Sequence, residues 1–139
     1  MEMPPNQPVD RRLMIFALLW MLGLYGVTAL AANLTTHLRP ALLETRNIFT
    51  HATAYAVQIG LVAAAYGWPR RELTRRERTC LLGLALLLGI GQEALQIILR
   101  ARAFPINSML DLTVDVTGAA LGLWIMARIA PLRRKLLVD

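Results

Sequence analysis

Residues 80 to 99 read CLLGLALLLGIGQEALQIIL, an apolar run that carries one acidic and two amide side chains. As a single helix this run is long enough to cross the roughly 30 Å hydrocarbon core of a bilayer. A carboxylate inside such a segment is costly, so Glu93 is expected to face the protein interior and to find partners there. The stretch predicts a membrane helix with a buried polar side.

Three further windows of the 139-residue chain have the same character. Hydrophobic residues make up 56% of the sequence, more than an ordinary soluble domain contains. We therefore predict an all-α, polytopic membrane protein, a four transmembrane helix bundle in a single domain over residues 1–139. The predicted spans are Leu13–Ala32, Ile48–Trp68, Cys80–Leu99 and Met109–Ala130, with cytoplasmic tails at 1–12 and 131–139.

The distribution of basic residues predicts the orientation of the bundle. Of the 15 Lys and Arg residues, eleven lie before the first span, between the second and third, in the last turn of the fourth, or after it. By the positive-inside rule both termini are cytoplasmic, an N-in/C-in topology. The net charge of +6 is thereby explained by topology and by contact with membrane lipids. The basic loop is short and has no aromatic interleaving beyond Trp68, so a nucleic-acid partner is not expected.

The N-terminal segment has a second interpretation. Arg11 and Arg12, the apolar run that follows and the string ALAA at 29–32 resemble a cleavable signal peptide. The run is long enough to span the membrane, which favours a retained helix. The single cysteine, Cys80, excludes an intrachain disulfide.

Capping signatures predict where the last two helices begin. Thr74 and Glu77 form a capping-box pattern, so the third helix should start in the cytoplasm and run from about 75 to 102. Ser108 and Asp111 repeat the pattern and predict that the fourth helix starts near Met109. An acid at that position would also complement the helix dipole, a purely structural role for Asp111.

Proline and glycine delimit the second span. Gly67-Trp68-Pro69 predicts its end, because proline stops a helix and Trp68 suits the membrane interface. The connection 33–47 contains Pro40 followed by ALLETRN and could form a short interfacial helix.

Polar side chains in three of the predicted spans fall at the same depth. In each span they are three, four or seven residues apart, which places them on one helix face in the outer half of the bilayer. A polar cluster facing the bundle interior is therefore expected. Its members are His51 and Tyr55 in the second span, Glu93, Gln96 and Arg100 in the third, Asp111 and Asp115 in the fourth, and Arg102 in the last loop.

Several of these features also have a plain packing explanation. Gln58, Gln92 and Gln96 could each serve only to hold helices together by hydrogen bonds. Gly118 and Gly122 form a small-xxx-small surface and are predicted to be helix-packing residues.

The chemistry of the polar cluster limits the function classes. A histidine beside carboxylates is what acid–base catalysis requires, and His51 can change protonation near neutral pH. However, the sequence has no serine or cysteine nucleophile motif, and no HExxH or Glu-x-x-His metal spacing. We predict no catalytic residues, no metal site and no cofactor. Four short spans without broken or repeated halves also disfavour a transporter.

The order and spacing of these residues form a set of motifs over about residues 45 to 125. They are His51-x-x-x-Tyr55, Glu93-x-x-Gln96, Arg102, and Asp111-x-x-x-Asp115-x-x-Gly118-x-x-x-Gly122. The set resembles the VanZ-like family. Two positions depart from the family pattern: Asn47-Ile48 stand where it typically has an Asp-Lys pair, and Asp115 stands where it typically has Asn.

The resemblance implies a small bacterial inner-membrane protein of a family named for low-level teicoplanin resistance. It implies that the polar cluster binds an amphipathic envelope component, such as a lipid-linked precursor or a lipoglycopeptide, at the outer leaflet. Arg100 and Arg102 would then meet anionic groups, while the carboxylates and His51 would bind amines or hydroxyls. Two alternatives stay open: an accessory subunit of a larger membrane protein complex, and an enzyme acting on lipid headgroups.

Overall fold

A computed structural model describes residues 9–31, 40–68, 72–100 and 106–136 of the chain. Within them the backbone forms four helices, each with a segment long and apolar enough to cross a membrane. The prediction of an all-α bundle with four membrane-length helices is confirmed. The helices are α1 (Arg11–Ala31), α2 (Pro40–Ala65), α3 (Arg75–Arg100) and α4 (Ile106–Leu136).

The bundle has two chemically different ends. One end, here called the terminal end, holds the first turns of α1 and α3 and the last turns of α2 and α4. There the backbone N–H of Asp10 donates to the carbonyl of Ala65 (2.9 Å). At the other, the opposite end, lie the first turns of α4 and the last turns of α3. Of the described members of the predicted polar cluster, Glu93, Gln96, Arg100, Asp111 and Asp115 lie in the halves of α3 and α4 nearer the opposite end. His51 and Tyr55 lie near the middle of α2.

Side chains cap the first turns of α1 and α3. The Asp10 carboxylate accepts from the backbone N–H groups of Arg12 (3.0 Å) and Leu13 (3.3 Å). At α3 the Thr74 N–H donates to Glu77 Oε2 (2.8 Å), and the Glu77 N–H donates back to Thr74 Oγ1 (3.2 Å). The predicted capping box is therefore confirmed, and each cap satisfies N–H groups that a helix leaves unpaired.

Glycine ends α2 earlier than the sequence predicted. Gly67 has a φ of 97°, a conformation that an L side chain rarely adopts. The Trp68 N–H then donates to the Ala63 carbonyl (3.2 Å) and the Gly67 N–H to the Ala64 carbonyl (3.0 Å), the paired bonds of a Schellman motif. The helix stops at Ala65 rather than at the predicted Trp68.

Three other predicted boundaries shift towards longer helices. α2 begins at Pro40 and runs without a break, so the suggestion of a separate interfacial helix before Ile48 is wrong. Proline is tolerated at the first helical position because the N–H that it lacks would be unpaired there. The predicted cap at Ser108 is also wrong, because α4 begins at Ile106 and Asp111 lies beyond its first turn. The helix also continues to Leu136, through part of the expected C-terminal tail.

The contact between α2 and α4 is the most extensive in the bundle. A methyl group added at Gly118 would overlap the backbone of Ala52, and one added at Gly122 would lie 3.0 Å from Ala56 Cα. Helices in lipid associate through such close packing and through hydrogen bonds rather than through the hydrophobic effect. By contrast, α1 is peripheral, with only 6% of its candidate span buried.

Candidate functional site

The centre of the polar cluster is a hydrogen bond between α2 and α4. The His51 ring donates from Nδ1 to Asp115 Oδ1 over 2.9 Å. The Asp115 side chain is 1% exposed and that of His51 is 16% exposed. The pair therefore has a closed side, formed by the aspartate, and an open side, formed by the histidine ring.

A glycine on α3 makes room for the second carboxylate oxygen. A Cβ placed on Gly89 would lie 2.9 Å from Asp115 Oδ2 and 2.9 Å from Leu112 Cδ2. Asp115 is thus held between α2 and α3, and the absence of a side chain at Gly89 allows it. The sequence contained no signal for this role, because Gly89 lies in an apolar run with two other glycines.

A second set of hydrogen bonds extends from Tyr55 to α1. The Tyr55 hydroxyl donates to Gln92 Oε1 (3.1 Å), and Gln92 Nε2 donates to Thr28 Oγ1 (2.9 Å). Tyr55 also lies close enough to Asp115 for the two to interact. All four helices consequently contribute to one polar network. The sequence contained no indication of Thr28, and it suggested only a helix-packing role for Gln92.

Glu93 is buried, 4% exposed, and faces the interior beside this network. It accepts a hydrogen bond from Gln96 Nε2 (3.4 Å) on the same helix. The carboxylates of Glu93 and Asp111 both lie within electrostatic range of the His51 ring. The side chain that bonds His51 is nevertheless Asp115, not Glu93.

The predicted polar cluster also contains two arginines. Arg102 and the side chain of Arg100 lie outside the described part of the structure. Arg46, a further candidate partner for the carboxylates, is exposed, and its carbonyl accepts a hydrogen bond from Thr50 Oγ1 (2.8 Å). The described part of the polar cluster is therefore rich in carboxyl groups, with His51 as its titratable base.

Comparison of the chain with protein families, curated proteins and solved structures finds no match. Among the described residues, no group of three His, Cys, Asp or Glu side chains is arranged to hold a metal ion. The arrangement presents an imidazole that is 16% exposed, with carboxyl groups beside it. Such a surface can accept hydrogen bonds from amines or hydroxyls and can attract a cation.

Proposed function

We propose that this chain is a VanZ-like protein of the bacterial inner membrane that binds an amphipathic envelope component through the polar cluster. The observation that carries the proposal is the His51–Asp115 hydrogen bond, with two further carboxyl groups in electrostatic range of the same ring. Ionisable side chains inside a membrane bundle are costly and commonly mark a binding site or pathway.

The charge of the polar cluster indicates which part of a ligand it would hold. Glu93, Asp111 and Asp115 lie within electrostatic range of a single imidazole among the described residues, which favours an amine or a group rich in hydroxyls. Lipoglycopeptides and aminoacylated or glycosylated lipids carry such groups next to long apolar chains. The resemblance adds Arg100 and Arg102 as partners for anionic groups of the same ligand.

The membrane location supports an envelope ligand. If the basic terminal end faces the cytoplasm, the polar cluster lies in the outer half of the bilayer. An amphiphile could then enter sideways from the outer leaflet, with its chains in lipid and its headgroup beside His51. The 16% exposure of His51 leaves a contact surface at that depth.

The test is retention of envelope lipids and a lipoglycopeptide by the purified protein. Native mass spectrometry of the tagged protein, extracted in mild detergent and offered teicoplanin, should show a bound amphiphile that Glu93→Gln and His51→Ala lose. Thr50→Ala, an exposed position beside His51, is the matched control and should retain it. Equal retention by all four proteins would overturn the proposal, as would loss of the cluster variants from the membrane itself.

A second candidate, an accessory subunit of a larger membrane complex, is favoured by one observation. On α1, Gly23 and Gly26 have nothing within 4 Å of a built Cβ, so a close-packing surface faces outward on the least buried helix. Gly118 and Gly122 are instead used within the chain and do not support this role. The test is whether a larger membrane protein co-purifies with this chain in a fixed ratio. Loss of that partner in Gly26→Leu but not in Gly83→Leu would favour the accessory-subunit role.

A further inference from the structure

A cavity of about 480 Å³ lies between α1, α2 and α3 in the terminal half of the bundle. This volume is in the range of sites that hold small organic ligands. Its walls are mostly apolar and include Ala17 and Met21 of α1, and Leu84 and Leu88 of α3. None of the polar cluster residues that the structure describes lines it, so it is a separate feature of the molecule.

One polar side chain lies at the deep end of this cavity without a complete set of partners. Gln58 is 4% exposed, and its Oε1 finds no hydrogen-bond partner among the described residues. A buried carbonyl oxygen left unpaired is costly, and in a bilayer bulk water is not at hand to pair it. A leucine of similar size at position 58 would not carry this cost. A hydrogen-bond donor on a ligand in the cavity would pair with Gln58 Oε1 and remove the cost while the glutamine is kept.

The mouth of the cavity carries charge. Two charged side chains line it in the first turn of α3: Arg76, which is exposed, and Glu77, whose carboxylate accepts from the Thr74 N–H (2.8 Å) and the Thr74 hydroxyl (3.0 Å). Leu88 lines the cavity three turns further on. On α2 the lining runs from Tyr66 inward to Gln58, eight residues that span about 12 Å of helix. The cavity thus joins a cationic group at the membrane surface to a hydrogen-bond acceptor well inside the bilayer.

We propose that this cavity binds a single-chain amphiphile with an acidic head at Arg76 and a hydroxyl group part-way along the chain that donates to Gln58 Oε1. The apolar walls accommodate the hydrocarbon, and the guanidinium pairs with a carboxylate or phosphate. Such a ligand satisfies both polar groups at once, which a plain acyl chain does not. The site is independent of the function proposed for the polar cluster.

A direct competition tests this assignment without any substitution. The delipidated protein is offered 12-hydroxystearate and stearate at equal concentration, and native mass spectrometry reads the ratio of the two complexes. Because pairing a buried acceptor recovers its lost hydrogen bond, we expect about a tenfold preference for the hydroxylated chain. A ratio near one, or no binding of either probe, overturns the proposal.

Two variants assign the preference to its groups. Gln58→Leu should bind both probes equally, with the affinity for stearate unchanged or improved. Arg76→Gln should weaken both probes to the same degree, whereas Arg75→Gln, an exposed neighbour that does not line the cavity, should leave both unchanged. A preference that survives in Gln58→Leu would show that the hydroxyl is recognised elsewhere and would also overturn the proposal.

Discussion

His51 Nδ1 and Asp115 Oδ1 are 2.9 Å apart, beside a close contact between the backbones of α2 and α4. Ala52, the neighbour of His51, has its backbone against Gly118, which follows Asp115 by three residues. The short aspartate can reach across because the glycine brings the two backbones together. Close packing and the polar contact are therefore two parts of one interface.

The first prediction concerns the energy of this contact. In a double-mutant cycle of His51→Ala and Asp115→Ala, we expect a coupling free energy of about 1 to 2 kcal/mol, at the upper end for hydrogen bonds between membrane helices. The measurement is reversible unfolding of the purified protein in mixed micelles. Asp115→Asn should lose less stability than Asp115→Ala, since the amide oxygen can still accept from His51.

The same cycle with Thr113→Ala in place of Asp115→Ala serves as its control. Thr113 is exposed on the same helix, where its hydroxyl donates to the Met109 carbonyl (2.8 Å). Its coupling to His51 should be near zero. A coupling of the His51–Asp115 pair that is no larger would mean that the hydrogen bond contributes nothing to the bundle.

The second prediction concerns the space behind Asp115. Gly89→Ala should destabilise the protein by about 1 to 3 kcal/mol, the usual range for overpacking, because the methyl group meets Asp115 Oδ2 and Leu112 Cδ2 at 2.9 Å. Gly83→Ala, on the same helix with nothing within 4 Å, should be neutral or stabilising. Equal effects of the two alanines in the unfolding assay would contradict the close contact.

The overall fold followed from the sequence because membrane spans have a strong signal. Four apolar windows predicted four helices, and the Thr74–Glu77 pattern placed the start of α3 correctly. Helix boundaries that depend on backbone conformation were harder to predict from the sequence. The end of α2 was assigned from Pro69, but the positive φ of Gly67 ends the helix before it.

The partners within the polar cluster could not be predicted in the same way. Glu93 and Gln92 are adjacent in sequence and about 100° apart around the helix. Small differences in helix rotation therefore decide which of them meets Tyr55, and in the structure it is Gln92. Thr28 had no visible signal at all, because a lone threonine in an apolar span is unremarkable until the neighbouring helix is in place.

The third prediction distinguishes the two buried glutamines. Gln92→Leu should cost about 1 to 2 kcal/mol, since it removes the acceptor of the Tyr55 hydroxyl and the donor to Thr28. Gln58→Leu should cost less or stabilise the protein, because Gln58 Oε1 has no partner among the described residues. Unfolding midpoints of the two variants in one detergent give the comparison, and the reverse order would contradict the hydrogen-bond assignments.

The fourth prediction is the orientation of the bundle. In a Cys80→Ser background, Thr45→Cys near the opposite end should react with a membrane-impermeant maleimide in intact spheroplasts. Arg75→Cys at the terminal end should react only after permeabilisation; both positions are exposed. Labelling in the reverse order would place the polar cluster on the cytoplasmic side and remove the argument for a ligand from the outer leaflet.

The fifth prediction ranks the two glycines at the interface of α2 and α4. A methyl group at Gly118 overlaps the Ala52 carbonyl group, and backbone atoms cannot move aside without shifting a helix. At Gly122 the nearest atoms are the Ala56 Cα and carbonyl oxygen, both at 3.0 Å, so a few tenths of an ångström of movement suffice. Gly118→Ala should therefore destabilise the protein more than Gly122→Ala.

The same two substitutions should differ in their effect on the His51–Asp115 coupling free energy. Because Gly118 sets the approach of α2 at His51, Gly118→Ala should reduce this coupling. Gly122→Ala, one turn further away, should leave most of it. Repeating the double-mutant cycle in both backgrounds measures this, and an unchanged coupling in Gly118→Ala would separate the packing of the helices from the polar contact.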